Sequence, residues 1–117
     1  MTRKQKDNIT FEEFEKLDIR MCRIISCGKV PDTDKLYQME VDTGSEELGI
    51  KLVVSSIADK ITPEELIGFN YPFIVNLPPR KIRGISSEAM IILGERKDGG
   101  FVKLTTLGVE DIGSIII

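Results

Sequence analysis

The 117-residue sequence contains no histidine. A Ser or Cys nucleophile would therefore need a lysine or carboxylate as its base, and Ser55-Ser56 has none at a recognisable spacing. Carboxylates are plentiful, yet none forms a motif that implies an acid and a base at fixed separation. Cysteine is scarce as well, with Cys22 and Cys27 the only two. Without histidine, a Cys-x-x-Cys or a tight acidic cluster, a zinc site lacks its usual ligands, and no metal or other cofactor is expected. Five positions apart in an expected strand, the two thiols alternate onto opposite faces unless a bulge intervenes, so reduced core thiols are expected rather than a bridge. Long apolar runs are missing too, and Met1-Thr2-Arg3-Lys4-Gln5-Lys6 has no apolar segment behind its basic residues. Export and membrane insertion are unsupported, and a non-catalytic, cytoplasmic binding protein is the expectation.

One further scarcity is local. From Leu66 through Ser87 there is no acidic residue, although the chain as a whole carries 19 acidic against 16 basic side chains and a net charge of -3. The acid is concentrated from Glu12 to Asp18 and from Asp32 to Glu47. Inside the acid-free stretch, Arg80, Lys81 and Arg83 follow Pro78-Pro79. The two prolines stiffen the backbone and present the cations on a preset loop, as the positioning of phosphates requires. Ser86-Ser87-Glu88-Ala89-Met90 follows at once and adds hydroxyl donors and a soft thioether suited to nucleobase edges and faces. Lys35 sits where a loop enters a strand and can add a cation on the same face. The competing readings are a solvated basic loop, a core position for Met90 and a surface ion pair for Lys35.

At this length, with 41% apolar and 30% charged residues, the chain is expected to build one core. Residues 1–8 read as a flexible basic tail and 9–117 as the domain. Thr10 and Glu13 form a capping box, with Ile9 and Phe14 placed as a hydrophobic staple, so a short helix is predicted to start here and end near Lys16. Ile19 to Ile25 reads as a bent strand whose alternation slips at Arg23-Ile24, as a bulge would make it. Leu36 to Val41 alternates Tyr37, Met39 and Val41 inward, with Gly44 in the following turn, and Leu52 to Ser55 makes a third strand. Thr62-Pro63-Glu64-Glu65-Leu66 repeats the helix-start chemistry for a short helix near 63–67 that Gly68 closes. Phe73, Val75 and Leu77 give a fourth strand. Ala89 to Leu93 and Phe101 to Leu104 give two more, joined across Asp98-Gly99-Gly100 as a hairpin. Ile115-Ile116-Ile117 are apolar enough to suggest pairing with an edge strand or a second subunit. The preferred architecture is all-β: a five-stranded antiparallel barrel of the OB type with two short helices and a C-terminal extension, since closure removes exposed edges.

The ordered landmarks Phe14-Glu15-Lys16-Leu17-Asp18-Ile19-Arg20, Asp34-Lys35-Leu36, Val41-Asp42-Thr43-Gly44, Val54-Ser55, Pro63-Glu64-Glu65-Leu66-Ile67-Gly68, Asn76-Leu77 and Pro79-Arg80-Lys81, finished by Gly84, Ser87 and Met90, carry more information than any one motif. From Ile9 to Ile117 the sequence resembles the tRNA-binding domain family, found as free-standing dimers and appended to methionyl-tRNA synthetase. The resemblance implies an OB fold that reads tRNA by shape and backbone. Its contacts carry over to Lys35, Asn76, Arg80, Lys81, Arg83, Ser87 and Met90. It also implies a homodimer acting with an aminoacyl-tRNA synthetase in trans. Glu47-Leu48-Gly49-Ile50-Lys51 and Ser87-Glu88 look more like the related CsaA-type chaperone branch, which implies the alternative of binding unfolded peptide segments on the same fold.

Overall fold

The computed structural model describes residues 3–106 and 108–117. The first helix, α1 (Phe11–Glu15), starts where local chemistry dictates. The Thr10 hydroxyl accepts from the Glu13 amide at 3.1 Å and the Glu13 carboxylate accepts from the Thr10 amide at 3.0 Å, which satisfies two otherwise unpaired donors. Ile9 lies exposed, and the aromatic contact on this turn is Phe11 stacked on Phe14 with ring centroids 6.4 Å apart. Ahead of the helix, Arg3 reaches Glu95 at 2.6 Å, an exposed pair of small energetic weight.

Five strands form the main antiparallel sheet: β1 (Ile19–Lys29), β2 (Tyr37–Asp42), β3 (Ile50–Ser55), β4 (Asn70–Ile74) and a short strand at Met90–Ile91. The spatial order places β3, β2, β1, β4 and Met90–Ile91 side by side, with β1 serving both halves. Its first residues pair with β4 and its last with β2, and Arg23 faces Asn70 on one side and Asp42 on the other. Ile24 pairs with Val41 and Ser26 with Glu40, so Ile25 is the inserted residue. The bulge thus falls just after the predicted Arg23-Ile24. It bends the strand and resets its alternation, so that fully buried Cys22 and Ile24 and partly buried Cys27 all meet the core. Both thiols are free. Tyr37, Met39 and Val41 point inward as predicted and pack with Val53, Leu66, Tyr71 and Phe73.

The second helix, α2 (Pro63–Leu66), caps one end of this core with Leu66 fully buried. Here the Glu65 carboxylate accepts from both the amide and the hydroxyl of Thr62, each at 3.1 Å. Two buried tyrosines bind the segment down: Tyr37 donates to the Ile61 carbonyl and Tyr71 to that of Glu65, both at 2.8 Å. The fourth strand ends earlier than predicted. Val75 remains buried, but Leu77 is 41% exposed, because the Asn76 amide turns the chain toward the N-terminal segment.

Two small sheets complete the fold. β5 (Arg80–Ile82) and β6 (Ile85–Ser87) form a hairpin, and beyond β7 (Met90–Ile91), β8 (Gly94–Glu95) pairs with β9 (Phe101–Val102). The Asp98-Gly99-Gly100 turn is therefore present, but it joins β8 to β9 rather than Ala89–Leu93 to Phe101–Leu104. Phe101 faces Glu95, while Ile91 faces Phe73. Closure between β3 and the far side of the sheet combines two side-chain bonds with one backbone bond. The Val54 amide donates to Ser87 Oγ and the Leu52 amide to Glu88 Oε1, both at 2.9 Å, while the Glu88 amide returns a bond to the Leu52 carbonyl at 2.8 Å. The curled sheet with this seam is an OB-type barrel.

After a short 3-10 turn at Val109–Asp111, the C-terminal extension lies along the first half of β1, the part that β2 leaves uncovered. Met21 accepts from Gly113 at 2.7 Å and donates to Ser114 at 2.8 Å, and Ile116 donates to Ile19 at 2.8 Å. Ile115 pairs with Arg20, so this segment does cover a strand edge. Gly44, at φ +71°, sits against Gly113, and a Cβ on Gly44 would fall 2.9 Å from the Gly113 backbone. Only glycine suits both that dihedral and that approach. No helix among the described residues is long and apolar enough to cross a membrane.

Candidate nucleic-acid interface

The basic segment is a β-hairpin, not the stiff loop its prolines suggest. Ile82 faces Ile85 across the pair, which leaves Arg83-Gly84 as a two-residue turn with φ of +53° and +79°. Two successive positive φ values mark the type I′ geometry that matches strand twist, with glycine in the second place and an arginine held left-handed in the first. Alternation then separates the cations. Arg80 and Ile82 share one side and line a groove, Lys81 lies on the opposite side, and Arg83 occupies the tip. All three cations are exposed.

The groove has a volume of about 660 Å³. Apolar side chains dominate it, among them Leu36, Val54, Leu77, Ile82 and Met90, and no carboxylate lines it. Met90 is 49% exposed and Leu77 41%. Lys35 is exposed one residue before Leu36, on the β1–β2 connection, where its carbonyl accepts from the Ala58 amide at 2.9 Å. The hairpin belongs to the connection between β4 and β7. These two connections flank one groove, as they do where OB folds hold oligonucleotides. The four ion pairs found among the described residues involve Arg3, Arg20, Arg96 and Lys103, so Lys35, Arg80, Lys81 and Arg83 have no carboxylate partner there.

The seven residues singled out from the sequence divide into two groups. Arg80 and Met90 line the groove, Lys35 precedes the lining residue Leu36 in the chain, and Lys81 and Arg83 lie on the hairpin that carries Arg80. Asn76 and Ser87 are engaged within the protein. The Asn76 Oδ1 accepts from the Asp18 amide at 3.0 Å, and its Nδ2 donates to the Lys16 carbonyl at 2.6 Å. Ser87 is 7% exposed, with its hydroxyl bonded to Val54. Glu88, adjacent to the cations in sequence, turns its carboxylate toward Leu52 rather than toward them. Ser56, which the sequence offered only as a nucleophile without a base, is exposed and lines the groove, as do Leu36 and Leu77, which the sequence placed in strands. A leucine followed by two prolines outside any helix was the available signal.

Neither thiol is set up for chemistry. Burial pushes Cys22 up to about 12 and Cys27 up to about 11, so both remain neutral near pH 7. A second concavity, of about 440 Å³ between β1 and β2, includes Glu40, whose carboxylate accepts from Ser26 at 2.9 Å. Its lining sets one carboxylate against one cation, Lys29, so it offers a polyanion no net positive charge.

Residues 19–110 match the family model described as "Putative tRNA binding domain". The chain is 50% identical to methionine–tRNA ligase of Porphyromonas gingivalis over 93 residues, which are 80% of this chain but 13% of that relative. Among solved structures, it superposes on a MetRS related protein from Pyrococcus horikoshii with a TM-score of 0.87 and 32% identity, covering 96% of this chain and 100% of the other. Chaperone CsaA from Bacillus anthracis gives a TM-score of 0.79 and 30% identity, over 95% of this chain and 100% of the other. A barrel with two adjoining connections, an acid-free cationic hairpin and a family match over most of its length lead to one assignment: the chain belongs to the tRNA-binding domain family.

Proposed function

We propose that this protein binds tRNA without catalysing a reaction on it, by placing phosphates against Lys35, Arg80, Lys81 and Arg83. The observation that carries this reading is the exposed hairpin whose cations have no carboxylate partner among the described residues, on the groove that Leu36, next to Lys35, also lines. Backbone contacts of this kind position RNA by its shape. In this reading Asn76 and Ser87 act indirectly, by fixing the ends of the segment that bears the cations. The protein works in the cytoplasm beside an aminoacyl-tRNA synthetase, delivering or retaining the tRNA that the enzyme charges. It does so as a homodimer, which doubles a modest basic patch. The exposed Phe11, Ile115 and Ile117 supply apolar surface for that contact.

Salt dependence is the test. Filter binding of bulk tRNA is expected to weaken steeply with added salt, with a log–log slope of about -2 to -3.6 for three to four neutralised phosphates per site. Replacing Arg80, Lys81 and Arg83 together by alanine should abolish retention while the melting temperature and the mass in solution stay unchanged. No retention of tRNA by the wild type at low salt would sink the reading. A second reading, capture of unfolded peptide segments, is favoured by the apolar lining of the groove and the likeness to CsaA. Binding of that kind should respond far less to salt.

A further inference from the structure

We infer that the groove between Leu77 and Met90 is a nucleotide subsite, which accepts one unstacked base of the bound tRNA while Arg80 holds its phosphate. The inference rests on the tRNA reading and adds to it a base-binding function separate from backbone recognition. Shape and phosphate contacts alone call for a cationic surface. They give no reason for a concavity of about 660 Å³ with apolar walls beside that surface. A base extruded from a loop presents a flat apolar face with polar edges, and single-stranded positions are where proteins read RNA bases.

The lining matches each part of such a nucleotide. Leu77 and Met90, 41% and 49% exposed, offer an aliphatic and a polarisable surface for the ring. Arg80 lies on the same wall, and its alternation with Ile82 directs it to the groove rather than to the far side of the hairpin. Exposed Ser56, immediately beyond β3, provides a hydroxyl for a base edge or the ribose 2′-OH. Pro78 and Pro79 fix the connecting backbone, which limits the entropy lost on binding. With an arginine at its lip and no carboxylate in its lining, the groove favours an anionic nucleotide over a neutral apolar side chain. A paired duplex cannot enter, because its bases are stacked inside the helix.

The experiment compares wild type with Leu77→Ala/Met90→Ala, two positions exposed enough to preserve the fold, as thermal melting would verify. Each protein is titrated with bulk tRNA and with a fully paired RNA duplex of equal phosphate count over a salt series. The expected result is a loss of about five- to tenfold in the variant's tRNA affinity at every salt concentration, with the salt slope and the duplex affinity unchanged. Ser56→Phe, which fills the groove from the β3 side, should reproduce the loss. If wild type binds tRNA with the expected slope but the double variant stays within about twofold of it, the subsite is overturned and the tRNA reading stands. If wild type fails to bind tRNA at low salt, both fall. An equal loss on duplex also overturns the subsite. So does a variant that loses reduced, carboxymethylated α-lactalbumin but keeps its tRNA affinity, which would assign the groove to polypeptide.

Discussion

At Ser87 a hydroxyl that stands in the sequence beside three cations turns inward and accepts the Val54 amide of β3. The Ser87→Ala variant leaves that buried N–H without a partner, and a loss of about 1–3 kcal/mol in unfolding free energy is expected from urea titration. A direct RNA contact predicts the opposite pattern, weaker tRNA binding with stability unchanged. Asn76 raises the same point, since its amide bridges Lys16 and Asp18 across nearly sixty residues of sequence. Residue type and neighbourhood singled out Ser87, and the family resemblance singled out Asn76. The sequence could not show which way they face, because their partners lie on segments that only the closed barrel brings near. Charges are easier to read: Lys35, Arg80, Lys81 and Arg83 are exposed, as long cationic side chains without buried partners should be.

Among elements, the helices were legible because their signals are local. Thr10 with Glu13 and Thr62 with Glu65 each fit within one turn. Strand β2 was equally clear, with three inward residues in strict alternation. Register between strands is not local, and it accounts for the differences: the bulge at Ile25, the early end of β4 and the exchange of partners in the Asp98-Gly99-Gly100 hairpin. The β5–β6 hairpin was hidden by its own turn, since Arg-Gly is a weak type I′ signal beside Asn-Gly. Arg83→Asn separates the two roles of that position. Thermal melting should show stability retained or raised by a few tenths of a kcal/mol, as the left-handed site accepts asparagine more readily. The tRNA salt slope should become shallower by about 0.7–0.9, the share of one phosphate.

For the whole molecule, the barrel places four protonated neutral groups in apolar surroundings. Burial raises Cys22 to about 12 and Cys27 to about 11, and raises Tyr37 and Tyr71 above the ordinary phenol value. As pH rises, the unfolded chain releases these protons first, so the folded state holds more of them and unfolding gains driving force. Stability is therefore complete below about pH 8.5, the free thiol value, and declines as pH climbs toward the folded-state values. Urea midpoints should be level near neutrality and fall between about pH 9 and 11, and Cys22→Ala should flatten part of that decline. The C-terminal extension has a different kind of consequence. Met21 obtains both its partners from residues 113 and 114, and the Gly44 turn closes on Gly113. A ribosome delivers β1 well before that partner segment, so half of the strand's edge stays bare in the interval. Completion of the sheet is a contact of very high sequence separation, among the slowest kinds to form, and until then the nascent edge is open to pairing with strands of other chains.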